Sequence, residues 1–444
     1  MKAAKSAQLS AADALLLDSA CPDILSVLAF DAENGSPSIE AIRDQVHYHL
    51  SRMTALPLRL AHDPLKAGLP YRIRSQFSPD FTIVELRSSH TWAEALTELS
   101  DLTGLKVDPF SQCFKIHVFR NVGSAPTISG TATLVALQVN HAIADGRGAT
   151  QVLQRLLGGE LSQLTEAEPL QGNPSWMHAG VATVGIPVRL ARTYWRTFRA
   201  PREVGLDSQQ YDPKQSSISK TEDGPISVRT VHFHRQDLKP RGLTVTETAL
   251  AAVSLSVPHI EGRSYQCEVP IAAPPGLSHR TVNNLINVLV DLPGKKDGLA
   301  AETYRIVELL KAEIAAARGI SASARLAMLD GSPAFLVRAI AKNAARERNT
   351  RIHDSVDRFK LTSYQAVVGG ATLCDTPPSF AMSIPTLRPN DRFTVNFVGF
   401  GDLVTATFAS RPGPIEDFQV FIDRLTTAVA DLNAADTQHV SREG

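Results

Sequence analysis

The run Thr133-Leu-Val-Ala-Leu-Gln-Val139, followed at once by Asn140-His141-Ala142-Ile143-Ala144-Asp145-Gly146, decides how the rest of the chain reads. Its aliphatic, partly β-branched residues predict a buried strand. Beyond Gly146, the stripe Val152, Leu153 and Leu156 predicts an amphipathic helix from about Ala149 to Leu157. His141 therefore stands in a tight connection at a strand end, which holds its ring rigidly. A neutral imidazole, with a reference pKa near ~6.5, accepts a proton from a hydroxyl close to neutral pH. Asp145, four positions on, suits a scaffold role, turned away from substrate and paired with an arginine. Gly146 allows a sharp turn or the close approach of another segment. A histidine base without a serine or cysteine nucleophile implies direct attack by an acceptor in a ternary complex. The plainer alternative is a histidine that caps a turn, with Asp-Gly as an ordinary bend. Random placement would produce H-x-x-x-D-G in such a chain roughly one time in twenty, so its strand-and-helix context carries the reading.

Outward from this motif, the 444 residues suffice for two or three domains, each with its own core. Forty-five basic residues balance 45 acidic ones, which removes any global electrostatic case for nucleic acid. Cys21, Cys113, Cys267 and Cys374 are scattered with no CxxC spacing. They read as reduced, intracellular packing residues rather than a disulfide frame or a zinc site, and no metal is expected. The N-terminal segment lacks the apolar stretch of a signal peptide, and no apolar run approaches the roughly 20 residues of a membrane span. The expected location is cytoplasmic, or at most peripheral on the inner membrane face.

Alternation predicts strands at 25–30, 71–74, 81–86, 114–119 and 133–139, with helices at 10–17, 38–54 and 92–105. Residues 201–225 are polar, carry Pro201 and Asp212-Pro213, and show no period; they read as a linker or crossover. Strands at 226–233, 266–271, 287–292, 394–398 and 403–408 alternate with helices at 246–256, 299–318, 333–345 and 415–432. Strands and helices interleave twice. The fold class is α/β (α+β), with related halves at 1–200 and 226–444.

At this point the chain resembles the chloramphenicol-acetyltransferase-like superfamily, which includes plant-type acyltransferases and condensation domains of peptide synthetases. More closely it resembles the bacterial wax ester synthase/diacylglycerol acyltransferase family. The resembling segments are Leu9–Ala14, Pro64–Tyr71, Asn140–Gly148, Asp223–Ser227, Leu243–Val253, Glu268–Ile271, Asn283-Asn284 and Gly369-Gly370. The resemblance implies two domains of shared fold with mixed sheets flanked by helices, and a tunnel at their interface with His141 midway. An acyl-CoA or acyl-carrier thioester would act as co-substrate, no cofactor would be needed, and a small or lipidic alcohol would be the acceptor. His141 would deprotonate the hydroxyl, while second-domain donors would hold the oxyanion. Asp145 would be structural, with Arg59 its candidate partner. Two positions depart from the family pattern: Asn140 replaces a second histidine, and Thr246-Glu247 replaces Asn-Asp. The Phe-Gly-Trp-Gly motif of plant-type relatives is absent.

Asn140 and Thr246 therefore join the site as substrate or oxyanion candidates. Asn284 offers the tunnel an amide or merely shapes a turn. Ser363, beside Thr362 and Gln365 and ahead of Gly369-Gly370, reads equally as an oxyanion donor or a plain strand residue. Val184, Val188, Ala191, Trp195 and Phe198 recur at helical spacing, with Arg189, Arg192, Arg196 and Arg199 on another face. Such a helix fits an anionic membrane, but the preferred reading is an ordinary helix covering a domain face, broken at Pro187. The pairs His47/His49 and His232/His234 lack metal-spaced partners and are expected to be exposed. No Walker loop, G-x-G-x-x-G or G-x-S-x-G occurs. The leading expectation is a CoA-dependent O-acyltransferase. The alternatives are transfer from a carrier-protein thioester in specialised metabolism, and an inactive, tunnel-bearing binding protein.

Overall fold

A computed structural model describes the chain except residues 1–6, 19–22, 34, 55, 75–82, 87–90, 161–168, 200–225, 241, 258–263, 273–284, 293–298, 319–331, 351–355, 367–368, 386, 388–392, 412–417 and 444. The first half contains α1 (Ala11–Asp18), β1 (Ile24–Asp31), α2 (Ile39–Arg52), β2 (Arg59–Ala61), β3 (Tyr71–Ile73) and β4 (Ile83–Glu85). It continues with α3 (Trp92–Gly104), β5 (Phe114–Gly123), β6 (Thr131–Val139), α4 (Gly146–Leu156) and α5 (Trp176–Arg199). The second half has β7 (Ser227–His234), α6 (Val245–Ser256), β8 (Ser264–Ala272), β9 (Leu285–Leu292), α7 (Leu299–Ala317) and α8 (Ala334–Thr350). It ends with β10 (Val356–Gln365), β11 (Pro378–Ile384), β12 (Phe393–Phe400), β13 (Leu403–Ser410) and α9 (Phe418–Glu443). The expected linker at 201–225 and the pair Asn283-Asn284 lie outside the described residues.

Two mixed sheets carry the fold, as the resemblance implies. One has the order β11-β1-β6-β5-β4, and the other β7-β13-β12-β10-β8-β9. In the first, β6 pairs antiparallel with both β1 and β5. Its side chains divide by parity. Val135, Leu137 and Val139 enter one core with α2 and α4, while Ala132, Leu134 and Ala136 enter the core beneath α3. Burial on both faces explains why 133–139 is a continuous apolar run.

Strand β11 belongs by sequence to the second half, yet it pairs antiparallel with β1 in the first sheet. The two halves also share a core: Ala366, Leu373, Val398 and Phe400 pack with Leu28, Ile116 and Leu153. The second sheet covers its other face with α6 and α9, through Phe359, Phe397, Phe408, Phe421 and Leu425. Helix starts follow local chemistry, since Thr91/Glu94 and Thr244/Glu247 each form a reciprocal capping box.

Pro187 does not break its helix. Helix α5 runs from Trp176 to Arg199 with the proline inside. Proline removes one N–H and strands carbonyls in the preceding turn. Nearby, Arg189 donates to Ala182 O at 2.8 Å and Gly185 O at 3.4 Å.

Candidate active site

Strand β6 ends with Val139 opposite both Ile24 and Phe114. The next residue turns the chain. Asn140 N–H donates to Cys113 O at 3.1 Å, and Asn140 O accepts from Ile143 N–H at 2.8 Å. Its side-chain oxygen accepts from Ala142 N–H at 3.1 Å, while Nδ2 donates to Asp23 at 3.4 Å. Asp23 is itself held by Val107 N–H at 2.6 Å and Gln138 Nε2 at 3.1 Å. Burial raises its carboxyl above the usual range, partly offset by these donors. Asn140 thus locks the turn that carries the half-buried His141.

Asp145 faces the following helix. Its carboxylate accepts from Gly148 N–H at 2.7 Å and caps α4. Burial pushes its pKa up, the Gly148 bond pulls it down, and the charge of Asp13 adds to the rise. The expected partner is corrected here. Arg59 donates to Asn173 instead. The buried arginine beside the site is Arg72, which forms a 3.2 Å ion pair with Asp13; Ser10 Oγ also donates to Asp13, at 2.8 Å. In the β2–β3 ladder Arg59 lies opposite Ile73, and Arg72 opposite Leu60. The two arginines therefore occupy opposite faces; Arg72, beside Leu60, is buried, while Arg59, beside the buried Ile73, is half-buried.

From the second half comes Tyr364, which the sequence reading passed over. It lies on β10, and its hydroxyl is 3.1 Å from Thr150 Oγ1 on α4. Thr150 in turn donates to Gly146 O at 3.0 Å and lies 2.7 Å from Ser26 Oγ on β1. The phenol is also hydrogen-bonded to Ser383, and its pKa is pushed up to about 12, first by burial. It stays neutral. A Cβ on Gly146 would lie 3.2 Å from Tyr364 Cε1, so the glycine is where two segments meet closely. Tyr364 and Thr150 are 214 residues apart in sequence, and no local pattern announces such a pair.

The remaining candidates separate. Ser363 lies opposite Phe397 on the neighbouring strand and shares parity with Phe359 and Leu361, which face the second core. It therefore points away from the face that Tyr364 presents to α4. Thr246 is half-buried in the first turn of α6, where Glu247 serves the capping box. Asn284 lies outside the described residues.

A cavity of about 360 Å³ adjoins Asn140. Leu17, Leu69, Pro70 and Phe110 give it apolar walls, and Lys106, Asp108 and Arg338 line it with charge of both signs. Arg338 comes from α8, so both halves contribute. Its Nη2 donates to His62 Nδ1 at 3.3 Å, and the His62 ring stacks on Phe110 with centroids 4.7 Å apart. His141 is the neighbour of Asn140 in the chain but is not part of this wall.

His232 departs from its expected exposure. It is half-buried, 3.3 Å from Thr405 Oγ1, with its ring edge-on to Phe380 at 5.0 Å. Burial lowers its pKa to about 4.

No family model matches the chain, and no curated protein matches it in sequence. Solved structures do. The wax ester synthase/diacylglycerol acyltransferase from Marinobacter aquaeolei VT8 superposes with a TM-score of 0.57 at 12% identity, over 97% of this chain and 100% of that one. The trichothecene 15-O-acetyltransferase from Fusarium sporotrichioides gives 0.56 at 11%, over 96% and 94%. The starter condensation domain of rhizomide synthetase, solved as a variant with C8-CoA, gives 0.52 at 11%, over 96% and 95%. The fold is the two-sheet α/β architecture that these acyltransferases and condensation domains share.

Proposed function

We propose that this chain is an O-acyltransferase that moves an acyl group from a thioester to an alcohol, with His141 as general base. The observation that carries the reading is the built turn at the end of β6. Asn140 pins its start to Asp23, Asp145 caps the helix that follows, and Tyr364 of the other half closes over Gly146. That rigidity is what a positioned base requires. An apolar cavity next door accommodates an acyl chain or a hydrophobic alcohol. The names of the structural neighbours agree in class: two are acyltransferases, and one was solved with an acyl-CoA.

In this reaction the imidazole takes the acceptor's hydroxyl proton as its oxygen bonds to the thioester carbon. The tetrahedral oxyanion collapses, the carbon–sulfur bond breaks, and the thiolate leaves with the proton returned by the imidazolium. The products are an ester and a free thiol. Asn140 positions the turn, since its amide is engaged with Asp23. Of the second-half oxyanion candidates, Thr246 is the described residue not turned into the second core.

The test is release of free thiol over a panel of acyl-CoAs and alcohols. His141→Ala lowers the rate by at least about 10²-fold while leaving thioester binding in place. Unchanged turnover in that variant would overturn the base assignment. Reaction only with carrier-protein thioesters would favour the condensation-type alternative.

A further inference from the structure

Helix α5 is inverted relative to an ordinary surface helix. Its inner face is made of small residues: Ala179 and Ala182 are buried, and Ala182 packs beside Gly68. His178 sits edge-on to Tyr71, with ring centroids 5.4 Å apart. Five large apolar residues point the other way, while Trp176, Leu190 and Tyr194 are exposed on a further side of the helix. Met177 is 68% exposed, Val184 78%, Val188 69% and Trp195 57%, with Val181 also exposed between them. Positions 177, 181, 184, 188 and 195 fall on one stripe at about 100° per residue, opposite 179 and 182. The helix covers a domain face through its alanines, while Val184, Val188 and Trp195 of the expected apolar stripe are exposed.

We propose that α5 lies on an anionic lipid surface, with this stripe in the acyl–headgroup boundary. The choice of a membrane over another protein rests on charge. Residues 176–199 contain Arg189, Arg192, Arg196 and Arg199 and no aspartate or glutamate, although the whole chain is neutral. Positions 192, 196 and 199 fall along one flank of the stripe, the arrangement of an interfacial helix on acidic headgroups, while Arg189 lies further round with its guanidinium on Ala182 O and Gly185 O. Its 24 residues span about 36 Å, long enough to lie along a bilayer; among the described residues no helix is apolar enough to cross one. The inner face of α5 rests on the Gly68–Tyr71 segment, whose Leu69 and Pro70 wall the cavity beside Asn140. Helix α5 therefore stands between a lipid surface on its outer face and the segment that lines the cavity. The proposal stands independently of the catalytic reading.

The test is flotation of the full chain with phosphatidylcholine vesicles, with and without phosphatidylglycerol. The expected result is binding at least about tenfold tighter to the anionic vesicles, weakened by salt. Val184→Asp with Val188→Asp abolishes it without lowering the melting temperature or the turnover of a short, water-soluble alcohol. His141→Ala, conversely, loses turnover and keeps vesicle binding, so the two proposals fail separately. Equal binding to neutral vesicles, no binding to either, or binding unaffected by the double substitution would overturn the membrane assignment. So would a dimer in solution that the double substitution dissolves, which would make a second copy the occupant.

Discussion

At the scale of single residues, the site depends on contacts that cross the molecule. A Cβ on Gly146 would stand 3.2 Å from the Tyr364 ring, which would have to give way, and Tyr364 is held in turn by its bond to Thr150. Gly146→Ala should cost about 1–3 kcal/mol as the ring is displaced and lower kcat by on the order of 10²-fold as the turn shifts. In a Tyr364→Leu background the added penalty of the alanine should fall below about 1 kcal/mol, since the obstructing ring is gone. A double-mutant cycle by urea denaturation, with kcat for each variant, measures this; equal penalties in both backgrounds would show that the ring does not police the glycine. The glycine itself was legible in the sequence, and so was its reason in general terms. What approaches it was not, because a contact over more than 200 residues leaves no periodic trace. Arg59 shows the reverse error. An arginine near the right place looked right, but it is Arg72, on the other strand face, that is buried and paired with Asp13.

At the scale of elements, most strands and helices stand where alternation and capping residues put them. The exceptions have physical causes. Pro187 lies inside an unbroken α5, where one lost N–H costs a single intrahelical bond. β11 joins the first sheet because β1 leaves an edge that its own half does not fill. His232 on β7 touches Phe380 on β11 and so lies where the two sheets meet. Its folded pKa of about 4 lies below the unfolded value near ~6.5. Between these values the unfolded chain binds more protons, so this residue's contribution is present above the unfolded pKa and is lost as pH falls through the folded one. Wild type should lose on the order of 2 kcal/mol from pH 7 to pH 4 that His232→Phe retains. Melting curves at both pH values check this; parallel losses in the two proteins would assign the acid sensitivity elsewhere.

At the scale of the whole molecule, the division into halves at 201–225 is less clean in space than along the chain. The first sheet needs β11, and its core includes Leu373, Val398 and Phe400. A fragment of residues 1–200 leaves β1 with an open edge and an unfilled core, and such edges pair with other chains. It should aggregate or lack a cooperative melt, as circular dichroism and size-exclusion chromatography would show. A monomeric fragment with a sharp transition would mean that the halves fold separately. The cavity beside Asn140 follows the same rule, since Arg338 of α8 completes a wall made chiefly by the first half.

The sequence alone determined the period of each element, the α/β class and the strand–turn–helix that carries His141, because these are set by neighbours within a few residues. It also placed four arginines and an apolar stripe on one helix. Only the tertiary structure decided which way that stripe points, which arginine is buried, and which tyrosine closes over Gly146. Helical and strand periods define faces, but a face is inward or outward only relative to what the rest of the chain brings against it.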